Sequence, residues 1–452
     1  MRHALLLLLL AAPALAQQAD GGVSDAELQK ELEQAIQSDK AAAQKEGQGQ
    51  PAPPSATAPP PAPANGAPQT PARGTQTLNP DISAILDADF GVQRRAPQFL
   101  NGDDPDLGAS GGRHALGFTA QEVELAFSAI VDPYFRGDVF LTVPNLDGIE
   151  VEEAFATTTS LPWSLQVKAG SFRSAFGRQN GQHLHVQDFT RRPLINAAFL
   201  GPDGLRGPGV QVSWLAPLPF FLTLYGEAFS IRADAPAVQQ GEIGDPAGSF
   251  GADGARRPAL LAEAKAFYPF GDEWSVYGGV NFASGKSPGL AFSRPDAERV
   301  TAGAGRETQL YGADLYVKWK PANVAQGYAS VALQGEVILR HFGGGDALPG
   351  EWDGGAYAQA VMQLARRWFF GVRGDVIGIP ASSVTARTVR VGTSLTWQGS
   401  EFARVRLYAE AERGNLGGTT PTAVLGEVQP SWAPAAFLQL EFSIGAHGAH
   451  PF

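Results

Sequence analysis

The feature that most limits what this chain can fold into is an alternation of apolar and polar residues with a period of two, running from about Asn79 to the C-terminus. Val123, Leu125, Phe127, Ala129 and Val131 alternate with Glu122, Glu124, Ala126 and Ser128. Val405, Leu407, Ala409 and Ala411 alternate with Arg404, Arg406, Glu410 and Glu412. Successive side chains of a strand point to opposite faces, so each segment presents one apolar and one charged face. A soluble sandwich would bury the apolar faces and wet the charged ones. A transmembrane barrel would turn the apolar faces to lipid and the charged ones to a water-lined interior. One strand fits both readings, and the connections separate them.

Strand-like segments are centred near Leu86, Leu125, Phe140, Ala154, Val167, Val212, Leu224, Ala264, Gly278, Leu315, Leu333, Ala360, Val372, Val391, Leu407 and Leu440. That is about sixteen, an even number as a closed antiparallel barrel requires. The gaps alternate in length. Tight gaps rich in turn formers lie near Asp132, Pro162, Pro217, Gly271, Pro321, Arg366 and Gly399. Between them lie mostly long polar ones, 93–115, 173–207, 231–258, 285–306, 342–354 and 413–433, with shorter members of the same set near Pro144 and Pro380. Short turns on one side and long loops on the other are the asymmetry of outer-membrane barrels, and a sandwich has no reason to sort loops by parity. Trp163, Trp214, Phe220, Tyr268, Trp274, Trp319, Trp368, Trp397 and Phe402 sit beside the tight gaps, where they predict an aromatic girdle at one interface.

The first residues predict export. Arg2 and His3 precede an apolar run from Ala4 to Ala12, and Ala14, Leu15 and Ala16 form a small-x-small cleavage site, so 1–16 reads as a signal peptide. Residues 17–46 carry a capping box at Ser24–Glu27 and a short apolar stripe (Leu28, Leu32, Ala35, Ile36). The stripe suits either a coiled coil with copies of itself or a largely unfolded arm. Residues 47–78 form a Pro/Ala-rich linker that cannot build a core, leaving 79–452 for the barrel. The expectation is thus an all-β chain, a 16-stranded antiparallel transmembrane β-barrel in the bacterial outer membrane, with its N-terminal arm in the periplasm. With no cysteine in 452 residues, disulfides and thiolate chemistry are excluded, and a net charge of −11 argues against nucleic acid. Phe452 is the terminal aromatic that barrel-assembly machinery reads.

Several stretches resemble one family. Glu122–Phe140 with its Asp132, Pro133, Tyr134 turn, Val151–Phe155, and Lys168–Arg173 followed by Phe176, Gly177 and Arg178 are similar to the phosphate-selective porin O/P family. The resemblance is best over about residues 80–230. It implies a 16-stranded channel, often a homotrimer, whose third loop folds into the pore. The third long loop, 173–207, is the longest and carries Arg173, Arg178, Arg191 and Arg192, with Lys168 just before it. These five cations are the expected constriction and anion-binding residues. The inferred lumenal face is otherwise mixed in sign, with Arg340, Arg373, Arg390, Arg404 and Arg406 among Glu122, Glu152, Glu336, Glu410, Glu412 and Glu441. Such a face suits either a transverse field or salt bridges across the barrel.

His183, His185 and Asp188 form the one local metal-like cluster, with the residue types but not the number of ligands of a structural zinc site. No glycine-rich run leads from a strand into a helix, whether as a phosphate cradle or as a nucleophile elbow, so neither an enzyme nor a cofactor is expected. The functional expectation is passive diffusion of small hydrophilic solutes, including anions such as phosphate, past loop 173–207 in contact with membrane lipid. Two alternatives stand beside it: a receptor barrel for metal or small-ligand uptake, and a structural barrel tethered to the cell wall.

Overall fold

The computed structural model describes residues 80–94, 114–144, 146, 148–201, 204–230, 249–251, 258–287, 290–293, 299–302, 305–322, 329–344, 350–380, 385, 387–414 and 432–445. The signal peptide, the 17–46 helix, the linker and Phe452 lie outside them. The strands are β1 (Asp81–Arg94), β2 (His114–Ile130), β3 (Phe135–Pro144), β4 (Glu150–Thr158), β5 (Leu165–Arg173) and β6 (Arg206–Leu215). Next come β7 (Phe221–Phe229), β8 (Ala259–Phe270), β9 (Trp274–Lys286), β10 (Leu290–Ser293), β11 (Arg299–Ala302) and β12 (Glu307–Trp319). The last are β13 (Ser330–Phe342), β14 (Glu351–Ala365), β15 (Trp368–Ile377), β16 (Thr388–Ser400), β17 (Ala403–Arg413) and β18 (Ala433–Gly445). Among the described residues one α-helix, α1, spans Leu194–Leu200. No helix among the described residues is long and apolar enough to cross a membrane.

Sixteen strands close into a barrel in chain order, and β10 and β11 form a separate two-stranded hairpin in the β9–β12 connection. Each barrel strand runs antiparallel to its neighbours, and β18 closes the ring on β1 from Ser83↔Gly445 to Gln93↔Ala435. Closure removes the unpaired edge that an open sheet could not present to lipid. Every expected strand centre falls within one of these sixteen strands. The β10–β11 hairpin was not expected, because its two four-residue strands are too short for alternation to register.

The barrel is inverted relative to a soluble protein. Phe118 is 85% exposed and Leu315 53%, whereas Arg390 is 0% and Arg406 1% exposed. On β12, Tyr311, Leu315 and Trp319 face outward while Leu310, Asp314 and Lys318 take the other face. From Tyr311 to Trp319 the strand rises roughly 27 Å, or about 20 Å along the membrane normal once tilted, close to the apolar band of known barrels. Trp163, Tyr268, Trp274, Trp368, Trp397 and Phe402 lie exposed at the tight-turn end. A second aromatic belt, unforeseen in the sequence, lies at the long-loop end: Phe90 packs on Phe118, and Phe282, Tyr311 and Trp352 form a chain of ring contacts. The two belts bracket the apolar band as interfacial anchors do.

Leu315 lies midway between the belts, so Leu315→Arg should cost about 2–4 kcal/mol of folding stability in lipid vesicles. Denaturant titration into vesicles checks this; a loss below about 0.5 kcal/mol would contradict the placement of the lipid face.

Candidate functional site

The segment 174–205 between β5 and β6 leaves the wall and crosses the barrel interior. Its described residues are mostly buried, although loop residues ordinarily lie on a surface. A backbone with no regular structure must find partners for its own N–H and C=O groups. Here the charged wall supplies them. Near β5, Ser174 Oγ and Ala175 N donate to the Glu227 carboxylate on β7 at 2.6 and 2.9 Å. Lys265 on β8 donates to the carbonyls of Ala175 and Gly177 at 2.7 and 2.9 Å. Gly177 N donates to Asn281 on β9, and the amides of Arg178 and Gln179 both donate to Glu336 on β13.

The loop then reaches the far wall. Arg404 on β17 donates to the His185 carbonyl, and Arg406 to that of Gln187 at 2.6 Å. Arg373 on β15 donates to the Arg191 carbonyl at 2.7 Å, and Arg390 on β16 to that of Arg192 at 3.1 Å. Leu194 N donates to Asp375 at 3.0 Å as α1 begins. The strands β15 to β17 lie half the ring away from β5, so the loop spans the lumen from side to side. Helix α1 is apolar nearly all round: Leu194, Ile195, Phe199 and Leu200 pack with Ile338, Tyr357 and Ile377 of β13 to β15. This apolar cluster inside a polar barrel fixes the second half of the loop.

Two local devices shape the loop. Asn180 ties its two ends together, its Nδ2 donating to the carbonyls of Ser174 and Leu205 and its Oδ1 accepting from Leu205 N at 2.7 Å. Gly204 makes this closure possible. Its φ is +79°, and a Cβ there would lie 2.5 Å from Asn180 Oδ1.

The five expected constriction cations separate into two groups. Arg173 pairs with Glu152, and Arg191 donates to Glu410 at 2.6 Å while lying over the Phe437 ring. Arg192 is 3% exposed. These three are thus placed inside loop–wall contacts, not on an open passage. Lys168 and Arg178 differ, since neither forms an ion pair with a carboxylate among the described residues. Lys168 Nζ lies over the Phe155 and Phe172 rings at 4.6 and 5.3 Å, and the Arg178 guanidinium over Tyr316 at 4.0 Å. The charges of the wall pair with neighbours in register: Arg340 with Asp353, Arg390 with Glu412, Arg404 with Glu441. The salt bridges expected across the barrel are instead cross-strand pairs, because directly opposed residues on one face are already within reach.

His183 and His185 come together with wall carboxylates, and Asp188 does not join them. Asp188 is exposed and accepts from Gln359 on β14 at 3.3 Å. The partners that complete the cluster are Glu122 and Glu124 on β2 and Glu152 and Glu153 on β4. Between Phe140↔Glu153 and Leu141↔Val151 the β3–β4 register slips, leaving Glu152 as the extra residue of a β-bulge. The bulge turns two consecutive glutamates inward. Two adjacent acidic residues in an alternating strand are the sequence signal for this. His183 Nδ1 lies 2.8 Å from Glu124 and Nε2 2.7 Å from Glu153. Burial lowers the pKa of His183, but the Glu152 and Glu124 carboxylates outweigh burial and hold it well above the ordinary value. Both ring nitrogens then donate, as an imidazolium.

The closed sixteen-stranded barrel, its inverted polarity and its inward-folded third loop define a porin-type transmembrane β-barrel. No family model matches the chain. The chain belongs to the family of an uncharacterized protein from Aquifex aeolicus (strain VF5), to which it is 34% identical over 421 residues, covering 86% of this chain and 83% of the relative. Among solved structures, Pseudomonas putida OprB at high pH is similar with TM-score 0.52 and 9% identity, over 81% of this chain and 94% of that one. An anion-selective porin from Comamonas acidovorans is similar with TM-score 0.51 and 10% identity, over 81% and 99%. The trimer form of in-vitro folded OmpT, an outer membrane protein of Vibrio cholerae, gives TM-score 0.50 and 10% identity, over 81% and 99%. These likenesses establish the fold.

Removing one partner of a buried ion pair commonly costs about 3–5 kcal/mol. Arg191→Ala, which takes the loop's own cation from Glu410 and leaves that carboxylate to Arg390 and Tyr408 of the wall, should therefore loosen the loop before it unfolds the barrel. Limited proteolysis with mass spectrometry is expected to cut the variant within 174–205 while the wild type resists. Equal resistance would contradict the anchoring described.

Proposed function

We propose that this barrel is an outer-membrane channel passing small hydrophilic solutes by passive diffusion, with a preference for anions, phosphate among them, set at Lys168 and Arg178. The observation that supports conduction is the inverted polarity, an apolar outer band around an interior lined by charged side chains. The anion preference rests on a narrower point. Most lumenal cations are matched by carboxylates or by loop carbonyls, whereas Lys168 and Arg178, the latter donating only to the neutral Gln334 at 3.2 Å, keep charge for a passing anion. A nearly balanced wall gives modest selectivity, not the strong discrimination of a single-sign ring. In this reading the chain carries no catalytic chemistry, assembles as a homotrimer, and uses Phe452 in barrel assembly.

A second reading is favoured by how firmly 174–205 is held at both walls: a receptor barrel whose loop moves only when a ligand binds. Planar-bilayer recording separates the two. Purified, folded protein is expected to conduct and to prefer anions, and Lys168→Gln with Arg178→Gln should lower the anion-to-cation permeability ratio several-fold. Absence of any conductance would overturn the channel reading in favour of the receptor. Cation preference untouched by the two substitutions would overturn the assignment to Lys168 and Arg178.

A further inference from the structure

The cluster where the loop meets β2 and β4 has a geometry that solute passage does not use. The donor atoms of Glu124, His183 and His185 lie within 4.8 Å of one another, and so do those of Glu122, Glu124 and Glu152, with Glu124 common to both sets. His185 Nδ1 is 3.3 Å and His183 Nδ1 2.8 Å from Glu124 Oε2, and His183 Nδ1 is 3.4 Å from Glu152 Oε2. Glu152 is 4% exposed; its Oε1 serves Arg173, while its Oε2 is buried, aimed into the cluster and without a hydrogen-bond donor. Four carboxyl groups, Glu122, Glu124, Glu152 and Glu153, are crowded here around the two imidazoles and the Arg173 guanidinium.

We propose that Glu122, Glu124, Glu152, His183 and His185 bind one divalent transition-metal ion. Imidazole nitrogen with carboxylate oxygen is the donor set of zinc and its neighbours, whereas calcium and magnesium take oxygen alone. The ion takes Nδ1 of His183, and the proton held there leaves to solvent. Nε2–H stays on Glu153, which fixes the ring as carboxylates commonly do behind metal-bound histidines. His185 adds its Nδ1, and Glu124 Oε2, Glu152 Oε2 and a carboxylate oxygen of Glu122 add oxygens. The ion thereby joins the loop to the wall at the start of its crossing. The proposal does not depend on the channel reading, since binding is read without current.

The test is a Zn²⁺ titration of chelator-treated, folded full-length protein, with X-ray absorption of the zinc-loaded wild type. One ion per chain with two imidazoles in its shell is expected. His183→Gln with His185→Gln should weaken binding at least tenfold, while Asp188→Asn should bind as wild type. No zinc bound by the wild type, a shell without two imidazoles, or full binding by the His183/His185 double variant would each overturn the proposal. The absorption measurement needs only the wild type, so a variant that fails to fold leaves the question answerable.

Discussion

Everything in the lumen follows from one requirement: a loop without regular structure, buried inside a barrel, must have its backbone polar groups satisfied. Residues 174–205 meet it by borrowing the side chains of the wall. Carboxylates on β7, β13 and β15 accept loop amides, and Lys265, Arg373, Arg390, Arg404 and Arg406 donate to loop carbonyls. Hydrogen bonds to charged groups contribute more than neutral ones, and a buried group left unpaired is costly, so loop position and wall charge are mutually determined. The apolar seat of α1 adds what the polar contacts lack, a fit that is indifferent to ionic strength.

This use of charge constrains what the barrel can do with a solute. An arginine whose guanidinium already serves a carboxylate has little left for a passing anion, which is why Arg173 and Arg191 contribute to architecture. Lys168 and Arg178 lean on aromatic faces, an interaction that leaves the cation's outer side open to a second partner. The same logic isolates the His183 cluster. There the wall brings more carboxylates than the loop brings donors, and the β4 bulge at Glu152 is the cause.

The barrel was legible in the sequence because alternation and loop parity are local signals that one strand and its two connections fully express. Leu315 and Asp314 declare opposite faces without any knowledge of neighbours. The lumen was legible only in outline. That loop 173–207 turns inward came through resemblance, but which arginines it spends on the wall depends on contacts between residues about two hundred positions apart, such as Arg191 with Glu410. No periodicity encodes these. Asp188 shows the limit of reading spacing alone: three residues beyond His185 the chain has already turned to β14. Glu153 shows the opposite case, a signal present in the sequence as a break in alternation.

The claim on which the rest depends is that 174–205 crosses the lumen and narrows it. Single-channel conductance of the wild type against a variant with 178–200 replaced by a short Gly-Ser connection tests this most directly. A several-fold rise in conductance, with the barrel still closed and folded, is the expected result. Equal conductance in the two proteins would mean that the loop does not lie across the pore, and would contradict the account.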